Sequence, residues 1–86
     1  MKIARTERFR KAWVLLTRNE KSLARKAISN LVSDMRYPAL RVKKLKGVSN
    51  IWEARASLNL RITFQIERNV IILRNIGHHD DTISRP

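Results

Sequence analysis

Two adjacent histidines near the end of the chain, and two arginines upstream of them, are the side chains best suited to chemistry. His78 and His79 can each accept or donate a proton near neutral pH, because the imidazole group has an unperturbed pKa of about 6.5. Arg55 and Arg61 carry forked donors that match two phosphate oxygens but do not readily exchange protons. This set indicates phosphodiester chemistry, in which guanidinium groups neutralise charge and an imidazole moves protons.

Cleavage of RNA would need little beyond these groups. The ribose 2′-hydroxyl is itself the nucleophile, so an enzyme has to bend the backbone, neutralise the transition state and manage two protons. We therefore expect no cofactor and no metal, since the two histidines and the aspartates after them show no recognised ligand spacing. Glu53 is a candidate proton acceptor, and an ion pair with Arg55 or Arg61 is its more common role. The alternative for the histidines is a plain surface loop.

A basic segment precedes the arginines. From residue 39 to residue 47 the chain reads ALRVKKLKG, in which cations are interleaved with Leu40, Val42 and Leu45. This pattern predicts an extended segment that its apolar side chains hold to the core while its charges project. Such clustered charge attracts phosphate groups, and a simple solvated loop is the alternative interpretation. The predicted phosphate-binding side chains are Arg41, Lys43, Lys44 and Lys46.

Three consecutive antiparallel strands are predicted to position the arginines and the histidines. Residues 60–67 alternate apolar and polar, which is typical of a strand with one buried and one solvent-facing side, and Arg61 falls on the solvent-facing side. Residues 52–56 alternate in the same way, and a short link between the two segments predicts a hairpin that places Arg55 beside Arg61. The apolar run Val70 to Ile76 predicts a third strand, covered on both sides. The two histidines would follow it in a loop.

Two amphipathic helices are predicted before these strands. The first covers Glu7 to Leu16, where apolar residues recur at steps of three and four. The second is capped by Asn19 and extends to about Met35, and Pro38 ends it because a proline disfavours the helical conformation of the residue before it. Lys2 to Ala4 could add a short edge strand to the sheet.

The composition is strongly basic and contains no cysteine. Nineteen Lys and Arg against seven Asp and Glu give a net charge of +12. Residues 1–46 hold fourteen basic and three acidic side chains, so +11 of this net charge lies in the N-terminal half. Such a surface suits a polyanion or an acidic partner protein. The absence of cysteine excludes thiolate catalysis and zinc–thiolate sites, and the length predicts one small domain over residues 1–86.

The N-terminal segment is basic and then apolar, as a secretory signal would be, but it lacks the apolar core of one. Its longest uncharged apolar run, Ala12 to Leu16, is shorter than the roughly 7 to 15 residues of a signal core. No stretch of the chain approaches the roughly 20 apolar residues that cross a bilayer. We therefore expect a soluble cytoplasmic protein with no membrane partner.

The order of four short motifs resembles the RelE/ParE superfamily of bacterial toxins. After two helices the chain carries RVKKLKG, IWEARASLNLRITFQI, NVIILRNIG and HHD, and the nearest branches are the RelE-like and YafQ-like messenger RNA interferases of type II toxin–antitoxin systems. The resemblance implies an α+β fold, with two N-terminal helices on one face of a small, mainly antiparallel sheet of three or four strands. It also implies cleavage of messenger RNA in the ribosomal A site, and inhibition by a cognate antitoxin, with an antitoxin–toxin complex on operator DNA as a further expectation.

The resemblance also assigns roles to individual residues. Lys43, Lys44 and Lys46 match the basic positions of the family's lysine-rich connector. Arg61 matches the arginine that contacts the scissile phosphate, and Arg55 matches a second arginine of related toxins. His79 matches the general acid or base of the terminal loop, with His78 as the alternative.

One departure from the family pattern keeps a second function open. Many active members place an aromatic residue close to the C-terminus, whereas this chain has none after Phe64. A ParE-like branch shares the fold and poisons DNA gyrase by binding, without cutting RNA.

Overall fold

The computed structural model describes residues 1–86 as a five-stranded mixed sheet with helices on both faces. The strands lie in the order β1-β5-β4-β3-β2; β1 is parallel to β5, and the other neighbours are antiparallel. A short 3-10 helix, Pro38–Leu40, precedes β2. The elements are β1 (Lys2–Arg5), α1 (Glu7–Val14), α2 (Arg18–Ser33), β2 (Lys43–Lys44), β3 (Trp52–Arg55), β4 (Leu60–Glu67), β5 (Val70–His78) and α3 (His79–Ser84).

The predicted α+β class and the predicted β3–β4 hairpin are confirmed, whereas the predicted strand count is too low. The predicted edge strand at Lys2 to Ala4 is confirmed as β1, which pairs along its whole length with β5. The additional strand is β2, in which two residues of the basic segment pair with β3. A two-residue strand has too little length to show an alternating pattern in the sequence, so β2 could not be read from it. No helix has both the length and the apolar character needed to span a bilayer.

The second helix starts earlier than predicted because of a reciprocal cap. Thr17, and not Asn19, is the N-cap: its hydroxyl accepts from the Glu20 N–H at 3.1 Å, and the Glu20 carboxylate accepts from the Thr17 N–H at 2.9 Å. This arrangement satisfies two of the backbone donors that every helix start leaves unpaired. The helix ends at Ser33, before the predicted Met35, because Asp34 is already extended.

The core lies between the two long helices and one face of the sheet. The helices contribute Phe9 and Leu31, which are almost fully buried, and the central strands contribute Ile62, Phe64 and Leu73. Each such side chain contributes about 1.5–3 kcal/mol when it leaves water. This layer fixes which side of each strand faces the helices, and therefore which residues face away from them.

The opposite face of the sheet is covered by the C-terminal segment, and this corrects a prediction. Arg61 and Thr63 were expected to face solvent, but both are buried. Thr63 donates to the Pro86 carbonyl at 3.1 Å, and its cross-strand partner Asn75 donates to the Arg85 carbonyl at 2.8 Å. Alternation within a strand shows which residues share a face of the sheet. It does not show whether a later segment of the chain covers that face.

Candidate active site

The buried carboxylate of Glu53 lies at the centre of a cluster of basic side chains. Glu53 is 2% exposed, and its Oε1 lies 3.6 Å from Arg61 Nε and 3.9 Å from Lys43 Nζ. Its Oε2 lies 4.0 Å from His79 Nδ1. We call these four residues, Lys43, Glu53, Arg61 and His79, the Glu53 cluster.

The sheet register and the start of α3 assemble the Glu53 cluster. Lys43 is the cross-strand partner of Glu53, which places both side chains on the face away from α1 and α2. Arg61 lies on the neighbouring strand, on the same face. His79 is the first residue of α3, the helix that packs across β4 and β5. Four separate elements thus contribute one side chain each to the Glu53 cluster: Lys43 and His79 are accessible, and Glu53 and Arg61 are buried.

The Arg61 guanidinium is hydrogen-bonded to backbone carbonyls through its Nη1, whereas its Nε has no hydrogen-bond partner. It is 6% exposed, and its Nη1 donates to the carbonyls of Ser57 at 3.0 Å and Leu58 at 2.7 Å, in the β3–β4 turn. The 3.6 Å separation from Glu53 makes an ion pair but is longer than a hydrogen bond. The predicted ion-pair role of Glu53 is therefore present with Arg61, and Arg55 takes no part in it.

Three buried polar atoms in this region have no hydrogen-bond partner: Glu53 Oε2, Arg61 Nε and Thr82 Oγ1. Thr82 lies against Gly77, where an added Cβ would be 3.1 Å from its hydroxyl oxygen, and Gly77 is the cross-strand partner of Arg61. A buried polar group left without a partner costs about 1–3 kcal/mol.

The two histidines face different parts of the molecule. His79 is 52% exposed beside Glu53. His78, the last residue of β5, pairs across the sheet with the core residue Leu60, and its Nε2 lies 3.4 Å from Glu20 Oε2 on α2. The structure therefore brings His79 and not His78 into the Glu53 cluster.

The Glu20 carboxylate beside His78 has a lowered pKa. The hydrogen bond from the Thr17 backbone N–H is the largest cause; burial, which raises the pKa, comes second, and the Thr17 hydroxyl and His78 then lower the pKa further. Glu20 therefore belongs to the N-terminal cap of α2, and its contact with His78 connects the end of β5 to the start of that helix.

The predicted phosphate-binding residues are divided between two faces. Lys43 and Lys44 are neighbours in a strand, so their side chains point in opposite directions: Lys43 joins Glu53, and the Lys44 Nζ lies 6.0 Å from the Trp52 ring centroid. Lys46 is exposed in the following turn. Arg41 lines a cavity of about 410 Å³ together with Arg55, between α2 and the β3–β4 turn.

Sequence reasoning missed Thr82, a buried residue beside Gly77. It lies three residues after His79 in α3, so the two side chains share a helical face. That spacing would have pointed to Thr82 if the helix had been predicted in place of a loop. No group of three or more His, Cys, Asp or Glu side chains is arranged to hold a metal ion.

Comparison with solved structures places the fold among toxins of toxin–antitoxin systems. A chain of the RelB–RelE antitoxin–toxin complex from Methanococcus jannaschii superposes with a TM-score of 0.77 at 19% identity, over 94% of this chain and 95% of that one. YafQ from E. coli strain BL21(DE3) superposes with a TM-score of 0.80 at 12% identity, over 94% and 96%. A YoeB/ParE toxin from Agrobacterium tumefaciens reaches 0.80 at 14% identity, over 92% and 99%.

These likenesses confirm the RelE-like toxin fold that the sequence motifs indicated. No family model matches the sequence, and neither does any curated protein. At such low identities the shared property is the fold, and function has to be argued from the site.

Proposed function

We propose that this chain is the toxin of a type II toxin–antitoxin system and that it cleaves messenger RNA on the ribosome. The observation that carries the proposal is the Glu53 cluster, which places an accessible imidazole and an accessible ammonium beside a buried guanidinium and a buried carboxylate. The toxin fold and the charge of +12 are consistent with it.

The proposed reaction is a metal-independent transesterification. The ribose 2′-oxygen forms a bond to phosphorus as the bond to the 5′-oxygen breaks, leaving a 2′,3′-cyclic phosphate and a 5′-hydroxyl. One proton leaves the 2′-hydroxyl and one is added to the 5′-oxygen. His79 is the proposed group for one of these transfers, because its imidazole is exposed and Glu53 lies on its Nδ1 side.

The charged neighbours of His79 have distinct proposed roles. Lys43, whose side chain is 64% exposed, contacts a phosphate oxygen. Arg61 stabilises the developing negative charge from its buried position, where the electrostatic effect of a fixed charge is strongest. Glu53 balances Arg61 before RNA binds and orients the imidazole. It is a less suitable general base, because its carboxylate is almost fully buried. Arg55 lies beyond the cluster and is assigned to RNA binding.

Primer extension on cellular messages after induction of the chain tests this function. We expect growth arrest with cuts inside translated messages, and loss of the cuts in the His79→Ala variant. The neighbouring His78→Ala variant, which removes an imidazole on the other face, should keep them. Cuts that persist in His79→Ala and vanish in His78→Ala would move the proton transfer to His78.

A ParE-like gyrase inhibitor is the second candidate. It is favoured by the burial of Arg61 and Glu53, which limits direct contact with RNA, and by the absence of an aromatic residue after Phe64. This function predicts double-strand DNA breaks and intact messages after induction. The primer-extension experiment therefore separates the two candidates.

The proposed partner is an acidic antitoxin, together with messenger RNA and ribosomal RNA in the cytoplasm. A neighbour in fold comes from an antitoxin–toxin complex, and a chain of net charge +12 attracts an acidic partner. The antitoxin is expected to cover the Glu53 cluster or the helical surface, and the complex is expected on operator DNA. Contacts that avoid both surfaces in a purified complex would refute this.

A further inference from the structure

A second cationic surface lies beside β3 and the end of α2, apart from the Glu53 cluster. Two cavities of about 410 Å³ and 340 Å³ meet there, and Tyr37 and Arg41 line both of them. Arg55 lines the first cavity, whereas Arg36 and Trp52 line the second. We call these five residues, Arg36, Tyr37, Arg41, Trp52 and Arg55, the Tyr37 surface.

The charged groups of this surface are all donors. Neither cavity is lined by an aspartate or a glutamate, and guanidinium groups have no acceptor atoms. The Trp52 indole Nε1 is buried and has no hydrogen-bond partner. The Lys44 ammonium lies 6.0 Å from the centre of the Trp52 ring and adds a further positive charge. A site of this composition requires a ligand rich in acceptors and negative charge, which phosphate oxygens supply.

The aromatic side chain between the cavities is accessible and has a fixed backbone. Tyr37 is 45% exposed. Its backbone N–H donates to the Asp34 carbonyl, and its own carbonyl accepts from the Leu40 N–H, each at 3.0 Å. An exposed ring on an ordered backbone, with cations on both sides, is the arrangement that binds single-stranded nucleic acid: a base stacks on the ring while the neighbouring phosphates meet the cations.

Arg41 has an unfavourable backbone conformation at this surface. Its φ of 45° lies in the left-handed region, which glycine adopts without steric cost and arginine does not. Strained residues of this kind concentrate at functional sites, and the Arg41 backbone is held in place by its N–H, which donates to the Pro38 carbonyl at 3.2 Å. The guanidinium at this position is therefore a candidate for a binding role.

We propose that the Tyr37 surface binds single-stranded RNA, with one base stacked on Tyr37 and the flanking phosphates held by Arg36 and Arg41. The choice of RNA over DNA rests on the proposed function, whereas the stacking and phosphate contacts rest on the surface itself. The Tyr37 surface would hold a part of the strand outside the bond that is cut, while the Glu53 cluster acts on that bond.

Binding of fluorescein-labelled octanucleotides by the full chain, measured as anisotropy over a range of salt concentrations, tests the proposal. A 2′-O-methyl RNA is used because it cannot be cut, and its DNA and abasic counterparts are the other probes. The matched variants are Arg41→Gly and Arg68→Gly. Arg68, in the β4–β5 turn, also has a left-handed φ, of 55°, and lines neither cavity, so each variant removes one charge and relieves one strained residue.

We expect Arg41→Gly to weaken binding and to reduce the slope of log K against log salt concentration by about 0.7, the value for one phosphate contact to a single strand. Arg68→Gly should change the slope much less. Tyr37→Leu should weaken binding of the 2′-O-methyl RNA by about 5-fold to 140-fold, and should leave binding of the abasic oligomer unchanged. Thermal unfolding confirms that each variant is folded.

Equal effects of the two glycine variants, or equal losses with and without bases in Tyr37→Leu, would overturn the proposal. Binding of DNA at least as tight as that of RNA would refute the assignment to RNA. The result is separable from that of the proposed function, because binding is measured without cleavage. A chain that binds as expected but leaves messages intact would retain this inference and lose the nuclease.

Discussion

The Nδ1 atom of His79 lies 4.0 Å from the Oε2 atom of Glu53, although one residue begins the C-terminal helix and the other lies inside the sheet. The distance is longer than a hydrogen bond, so the contact has room to shorten. It joins the accessible imidazole to a buried carboxylate that also neutralises Arg61. The stability of the fold and the proposed proton transfer thus depend on the same acid.

Replacing Glu53 by glutamine should destabilise the protein. The substitution keeps the shape but leaves the buried Arg61 guanidinium without a counter-charge, and breaking a buried ion pair in this way costs about 3–5 kcal/mol. Urea unfolding measures the loss. Glu67→Gln, on an exposed side chain of the same sheet, is the control and should change stability by less than about 0.5 kcal/mol. Equal effects would show that Glu53 does not compensate Arg61.

The two histidines should differ in their effect on the proposed RNA cleavage. With a ribosome-bound message as substrate, His79→Ala should lower the single-turnover cleavage rate by about 10² to 10⁴, the usual contribution of a general acid or base. His78→Ala should have a far smaller effect, because His78 contacts Glu20 on the other side of the sheet. Comparable losses in both variants would mean that the cleavage site is not the Glu53 cluster.

Two buried threonines should respond in opposite ways to the same substitution. Thr82→Val removes a hydroxyl that has no partner, so the unfolding free energy should rise by about 1 kcal/mol. Thr63→Val removes the donor to the Pro86 carbonyl, so the unfolding free energy should fall by about 1 kcal/mol. If RNA uses the Thr82 hydroxyl, the more stable Thr82→Val will also bind RNA less tightly. A loss of stability in Thr82→Val would show that its hydroxyl is bonded in solution.

The α2 cap should make stability depend on pH. The folded-state pKa of Glu20 is lowered from its ordinary value of 4.5, chiefly by the Thr17 backbone N–H. Its stabilising effect is therefore complete above pH 4.5 and is lost as pH falls through the lowered value.

Urea unfolding across the acid range should thus show a difference between the wild-type chain and Glu20→Gln that disappears at low pH. Glu7→Gln is the control, because it removes an acid from the first turn of α1, a helix start that lacks a capping box. The comparison isolates the contribution of the contact between Thr17 and Glu20. A difference between wild type and Glu20→Gln that is the same at all pH values would exclude the cap as its source.

Local patterns in the sequence predicted the parts of this fold that depend on neighbouring residues. The alternation around Arg55 and Arg61 is sufficient to pair them across a hairpin, and the structure pairs them. The divergence of His78 and His79 was also expected from their adjacency, and in the structure it arises because His78 ends β5 and His79 begins α3.

Contacts between distant segments could not be predicted in this way. The burial of Arg61 depends on residues near the C-terminus folding back over β4, and the separation of Lys43 from Lys44 depends on a strand of only two residues. The cavity that Arg41 shares with Arg55 requires α2, the 3-10 helix and the β3–β4 turn to meet. None of these arrangements leaves a periodic signal in the sequence.

The outermost strands of the sheet have a consequence for association between copies of the chain. β1 begins with Lys2 and ends with Arg5, and β2 is Lys43 and Lys44 alone. A second molecule that tried to extend the sheet along either border would bring ammonium or guanidinium groups close to one another, and like charges on adjoining strands repel. The protein therefore carries its own barrier to fibrous growth, despite the strongly apolar strands in its interior.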